Sequence, residues 1–201
     1  MRAASPSRWD SRSQLTSNMS DVLSTIQISK LDAARRQLRT AITLWFNGGD
    51  PVSIHTLAFA AYEIVHAVSK KRDPDRPNLI FDSAVIRDDE RREFKSLIKK
   101  HAAFFKHADH DPEGVIPFNP EVSEIFMTAA VYGLLLCKEF PQQLEELAYM
   151  LWFQYTKPEL LTPEFQKQLA AVVPVQFEQG KQLPKCNFFK HVLGIETDRP
   201  Q

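Results

Sequence analysis

The segment Asn47-Gly48-Gly49-Asp50-Pro51 constrains the fold most, because it ends one helix and begins the next within a single turn of chain. Asparagine and glycine commonly end helices, and aspartate followed by proline commonly begins them. Upstream, Ser29 and Asp32 have the spacing of a capping box, and apolar residues then recur at helical intervals. The sequence therefore predicts one helix over about 30–47 and a second over 51–71.

The rest of the chain continues this pattern of apolar helical stripes separated by proline-containing breaks. We expect a third helix over 84–108, a fourth over 120–140, a fifth after Pro141 and a shorter sixth that begins at Thr162 and ends before Pro174. No segment shows the period-two alternation typical of a strand. The predicted fold class is all-α, with a four-helix-bundle core and two or three additional C-terminal helices.

The chain of 201 residues divides into three predicted parts. Residues 1–26 are rich in serine and arginine and lack an apolar stretch, so we interpret them as a disordered or mis-assigned leader. Translation could start at Met1 or at Met19. Residues 27–158 form the predicted bundle core, and residues 159–201 form a C-terminal helical extension packed on it.

Composition narrows the classes of function. Lys+Arg and Asp+Glu both total 25, so the formal net charge is zero and any RNA binding must use a local basic patch. Two cysteines are too few for a disulfide framework, which favours a cytoplasmic protein. The longest apolar run, residues 125–137, is shorter than the ~20 residues of a membrane span, so no membrane association is predicted. The chain has six glycines and no glycine-rich loop that could bind a phosphate, and no cofactor is predicted.

The most chemically distinctive segment is residues 99–111, which holds three of the six histidines beside lysines and aspartates. His101 lies in the apolar stripe of the third helix, His107 on its basic flank and His110 in the turn that follows. A metal site formed by His107, Asp109, His110 and Asp111 is sterically possible but matches no ligand spacing. We therefore interpret this end of the helix as solvated and predict no metal there.

A second group of polar residues lies along one flank of the second helix. This flank is a candidate cleft lining, formed by His55, Tyr62, Glu63 and His66. Glu63-x-x-His66 has the spacing with which di-iron bundles project two ligands, although the chain has no second such motif. Either the flank belongs to a small-ligand or metal-binding bundle, or its polar groups are hydrogen-bonded within the fold.

A histidine on the basic end of a bundle helix resembles the HEPN superfamily, all-α proteins that include metal-independent ribonucleases. The chain is also similar, over residues 50–57, to helical bacterial proteins without an assigned activity. The HEPN resemblance implies that His107 is a catalytic histidine. The position of the family's catalytic arginine falls on Lys100, His101 or Ala102, depending on the spacing, and of these Lys100 keeps the positive charge but not the bidentate geometry of arginine. The resemblance further implies phosphate binding by Lys99 and Lys106, and a site formed across a homodimer interface.

Three functions stay open at this point. The first is a HEPN-like RNA-binding or ribonuclease-related domain, active or degenerate, and the second is the ligand-binding or metal-binding bundle. The third is a non-enzymatic oligomeric interaction module that uses the aromatic residues of the C-terminal region. Those residues are Trp152, Phe153, Phe165, Phe177, Phe188 and Phe189.

Overall fold

The structure, a computed structural model, describes residues 25–76, 79–80, 100–107, 111–137, 143–158, 163, 167 and 182–195. Within these residues the chain forms α1 (Lys30–Phe46), α2 (Pro51–Arg72), α3 (Val122–Cys137), α4 (Leu144–Thr156) and α5 (Lys185–Val192). A further short helical segment covers residues 100–104. No strand occurs in this described part, and the all-α fold class is confirmed.

The first two predicted helices are confirmed almost to the residue. The Ser29 hydroxyl accepts a hydrogen bond from the Asp32 backbone N–H, and the Asp32 carboxylate accepts from the Ser29 N–H, which completes the capping box of α1. The Asp50 carboxylate caps α2 by accepting from the Ser53 N–H at 2.7 Å. Gly48 adopts a positive φ of 67°, a conformation that favours glycine at the end of α1.

The remaining predicted helices are described only in part. The third predicted helix, over 84–108, lies mostly outside the described residues, as do the leader and the sixth predicted helix over 162–173. The fourth begins two residues later than predicted, because Asn119 and Pro120 form a turn in which the Asn119 side chain accepts from the Glu121 N–H. The fifth corresponds to α4.

Helix α2 lies against both α1 and α3, which are its two largest neighbours among the described helices. Because α1 and α2 are joined by a tight turn, they run antiparallel, whereas α2 and α3 run parallel. The parallel direction follows from contacts at a constant sequence offset: His55 bonds to Ser123, and Val65 lies beside Gly133. The long connection between them, residues 73–121, contains the predicted third helix.

Helices α4 and α5 close the other side of α1. The Arg35 guanidinium pairs with the Glu146 carboxylate, with Nε and Oε1 2.9 Å apart and both side chains buried. At the end of α1, the Phe46 ring stacks on Phe189 with centroids 4.4 Å apart, and it also contacts Phe188. These C-terminal aromatic rings are therefore packed within the chain, while Phe165 and Phe177 lie outside the described residues.

Helix α2 is the described helix whose length and composition would suffice for a membrane crossing. In the structure, 44% of the apolar stretch of this helix is buried inside the protein, mainly against α1 and α3. The helix is therefore central to the packed core.

Gly133 sets the spacing between α2 and α3. A Cβ at this position would lie 2.4 Å from Val65 Cγ1 and 2.6 Å from Leu79 Cδ1, and both neighbours are buried. These distances are below normal contact, and the β-branched Val65 side chain has little rotamer freedom in a helix. Glycine is thus required for the observed approach of the two helices.

We expect Gly133→Ala to lower the free energy of unfolding by about 1–2 kcal/mol, because overpacking outweighs the gain of about 1 kcal/mol in helix propensity. Urea denaturation monitored by circular dichroism measures the change. Val65→Ala should be less destabilising in the Gly133→Ala background than in the native protein, because it removes the nearer of the two close contacts of the new methyl group. An alanine variant as stable as the native protein would contradict this packing account.

Candidate functional site

His55 is the most deeply buried of the sequence-predicted site residues. Its side chain is 0% exposed, and its Nδ1 lies 3.1 Å from the Ser123 Oγ of α3. Asp50 and Pro51 fix where α2 begins, and this places His55 on the face that packs against α3. Four phenylalanine rings surround the imidazole at centroid distances of 5.0–6.3 Å: Phe59, Phe105, Phe118 and Phe126.

His101 is the second buried histidine and lies beside the first. It is 4% exposed, and its Nε2 donates to the Pro117 carbonyl at 2.9 Å. The two imidazole centroids are 6.1 Å apart and their planes meet at 83°. Both rings contact Phe105 and Phe118, so the two histidines share one aromatic shell.

Burial changes the acidity of His55. It lowers the pKa of the imidazole to about 4, and the nearby His101 and Lys106 act in the same direction. The ring is therefore neutral at physiological pH.

The four predicted cleft residues of α2 do not line one cleft. His55 and Tyr62 are buried, and burial together with Glu63 raises the pKa of the Tyr62 hydroxyl to about 12. His66 is half-buried and stacks on Tyr62 with centroids 5.7 Å apart. Glu63 is exposed and pairs with the Lys106 ammonium at 3.7 Å.

The predicted catalytic and phosphate-binding residues lie on the surface. Lys100, Lys106 and His107 are all exposed, and the Lys106 ammonium sits 5.2 Å from the Phe59 ring centroid. Lys99 lies outside the described residues, as do Asp109 and His110. The structure therefore brings Lys106 to Glu63 but does not bring His107 into the aromatic shell of His55.

A groove along α2 was not predicted from the sequence. It encloses about 560 Å³ and has an apolar floor with three cationic side chains and Glu63 at its rim. Its lining residues are Lys30, Glu63, Ile64, Ala67, Val68, Lys71 and Arg72. The basic triplet at residues 70–72 indicates a positively charged end of α2 in the sequence. The position of Lys30 beside this triplet follows only from the antiparallel packing of α1 on α2.

The described residues contain no group of three or more His, Cys, Asp or Glu side chains placed to hold one metal ion. Glu63 and His66, the pair with di-iron spacing, face a lysine and a tyrosine respectively. Cys137 and Cys186 are both free thiols.

Comparison of the chain with protein-family models, curated proteins and solved structures finds no match. The functional assignment therefore depends on the geometry of the chain itself.

We expect acid to destabilise the protein through His55. Its pKa is lowered from 6.5 to about 4, so the unfolded chain takes up a proton at a higher pH than the folded protein does. The contribution of the neutral ring to the free energy of unfolding is therefore complete above pH 6.5 and is lost as the pH falls toward 4. The total loss over this interval is about 3 kcal/mol. Urea denaturation across this range, in a buffer containing a chelator, measures the slope.

His55→Gln should flatten this pH profile, because glutamine does not titrate. His66→Gln, which changes a half-buried histidine on the same helix, is the matched control and should keep the native slope. Equal slopes for the native protein and His55→Gln would contradict the assignment.

Proposed function

We propose that this protein binds the phosphate backbone of single-stranded RNA on a basic surface formed by Lys30, Lys71, Arg72, Lys106 and His107. The observation that carries the proposal is the groove along α2, whose rim holds three cations around an apolar floor. Lysine and arginine side chains bind nucleic acids mainly by displacing counterions from phosphates. The resemblance of the segment around His107 to the HEPN motif, noted in the sequence, is the reason to choose RNA as the polyanion.

Glu63 connects the two halves of this surface. It lines the groove and also pairs with Lys106, so the exposed residues 100–107 adjoin the groove at Glu63. The same ion pair partly neutralises the carboxylate at the rim, which reduces repulsion of a phosphate chain. Lys30 and Lys71 are exposed and make no ion pair with another described residue.

The apolar floor suits a ligand that has bases as well as phosphates. Ile64, Ala67 and Val68 form this floor, and Arg72 beside them carries a planar guanidinium. Unpaired bases are bound by apolar contact and by stacking on guanidinium planes, whereas the bases of a duplex are hidden. This favours single-stranded over double-stranded RNA.

We expect a fluorescein-labelled single-stranded RNA of mixed sequence to bind with a salt-dependent Kd in the micromolar range or weaker. Lys71→Glu should raise the Kd by about tenfold at low salt and reduce the salt slope by about one or two phosphates. Fluorescence anisotropy at several salt concentrations measures both quantities.

Lys190→Glu is the matched control, because Lys190 also lies in the last turn of a helix, α5, away from the groove. It should bind as the native protein does. Equal losses in both variants, or no binding by the native protein, would refute an RNA surface along α2.

The catalytic part of the proposal assigns His107 as general acid or base and Lys100 as the cation that stabilises the scissile phosphate. We expect metal-independent cleavage that persists in EDTA and falls by about 10²-fold or more in His107→Ala. Gel analysis of labelled RNA fragments measures the rate.

His191→Ala is the control for this experiment, since His107 and His191 end the same Phe-Phe-Lys-His tetrapeptide in the sequence. Cleavage that survives in His107→Ala would remove this histidine from the mechanism. Absence of cleavage in a native protein that still binds RNA would leave a binding function alone.

A further inference from the structure

The two buried histidines each have one ring nitrogen that the fold does not satisfy. His55 Nε2 and His101 Nδ1 are buried and have no hydrogen-bond partner, whereas the other nitrogen of each ring is bonded to Ser123 or to Pro117. Buried polar atoms almost always find a partner, so two orphaned nitrogens in adjacent side chains are unusual. Their proximity indicates a site for a shared ligand.

The hydrogen bonds indicate where the protons are. A carbonyl oxygen only accepts, so His101 Nε2 carries the proton that it donates to Pro117, and in the tautomer with this single ring proton the lone pair is on Nδ1. The Ser123 hydroxyl can accept from His55 Nδ1, which leaves the lone pair on Nε2. Metal-binding histidines are oriented in this way, with one nitrogen held by a carbonyl or hydroxyl and the other free to coordinate.

The separation of the rings fits one ion between them. An imidazole nitrogen lies about 1.2 Å from its ring centroid and a metal–nitrogen bond is about 2 Å long, so two rings that share an ion in a linear arrangement have centroids about 6.4 Å apart. The observed centroid distance is 6.1 Å, and the perpendicular planes prevent a clash between the rings. A direct hydrogen bond between the two nitrogens is absent.

The surroundings select the kind of ion. The shell consists of phenylalanine rings, and the groups whose charge acts on His55 are His101 and then the Lys106 ammonium, both cationic when protonated. A buried divalent ion without a carboxylate or thiolate ligand would keep its full charge in an apolar site, which is unfavourable. A monovalent ion carries half of that charge and is therefore buried at a lower cost. Cu(I) is a monovalent ion that imidazole nitrogens bind and that accepts two ligands in a line.

We propose that His55 and His101 form a buried two-coordinate site for Cu(I), enclosed by Phe59, Phe105, Phe118 and Phe126. Binding transfers no electron and releases no proton, because both coordinating nitrogens already carry lone pairs. The ion enters between residues 100–107 and 111–119, where Phe105 and Phe118 are half-exposed. Its two ligand residues are not part of the basic surface proposed above for RNA.

Anaerobic titration of the full chain with Cu(I) against the chromophoric chelator bicinchoninate tests the proposal. We expect one equivalent to bind tightly, and His55→Gln and His101→Gln each to weaken binding by at least 100-fold. Ser123→Ala should weaken it by about 10–100-fold, because it removes the hydrogen bond that orients His55. His66→Gln and His107→Gln are the controls and should bind as the native protein does.

A second measurement does not require that the variants fold. Cu(I) is diamagnetic, so ¹H–¹⁵N spectra of the histidine rings in the native protein should show His55 Nε2 and His101 Nδ1 shifting together at one equivalent. Unchanged spectra of these two rings would overturn the proposal. Tighter retention of Zn(II) than of Cu(I) at the same nitrogens would overturn the choice of a monovalent ion.

Discussion

The close approach of α2 and α3 at Gly133 is the constraint on which the rest of the described structure depends. Without a side chain at this position, α3 lies directly against Val65 and Leu79, and the two helices stay in contact along their length. The same approach presses Ser123 and Phe126 onto His55 at the other end of the helix pair. A glycine that permits close packing at one end of the helix pair therefore helps to exclude water from an imidazole at the other end.

Helix α2 has two faces with different chemistry. The buried face carries His55, Phe59 and Tyr62, where removal of water favours the uncharged forms of the histidine and the tyrosine. The outer face carries Glu63, Ile64 and Lys71, where water and counterions screen charges and a flexible ligand could be bound. The two proposals of a buried metal site and an RNA-binding groove thus use opposite sides of one helix, and Lys106 lies where they meet, above Phe59 and beside Glu63.

Buried charges elsewhere hold the peripheral helices in place. Glu146 is buried against Arg35, and the Glu124 carboxylate forms an ion pair with Lys157, with Oε2 and Nζ 3.1 Å apart. Burial raises the pKa of both carboxyl groups. Such pairs add little net stability compared with apolar contacts, but loss of one partner leaves an uncompensated buried charge. They therefore fix how α4 packs against α1 and α3 more than they strengthen the packing.

The sequence by itself determined the limits of α1 and α2, because capping residues, glycines and apolar spacing act over a few neighbouring residues. Ser29, Asp32, Asp50 and Pro51 predicted the limits of α1 and α2, and His101 was correctly placed on the apolar stripe. Only the tertiary structure decided which histidines meet: His55 pairs with His101, and His66 lies on Tyr62. The sequence also did not predict that α2 and α3 run parallel or that Lys30 lies beside Lys71. Helical periodicity tells which face of a helix is buried, but not which helix covers that face.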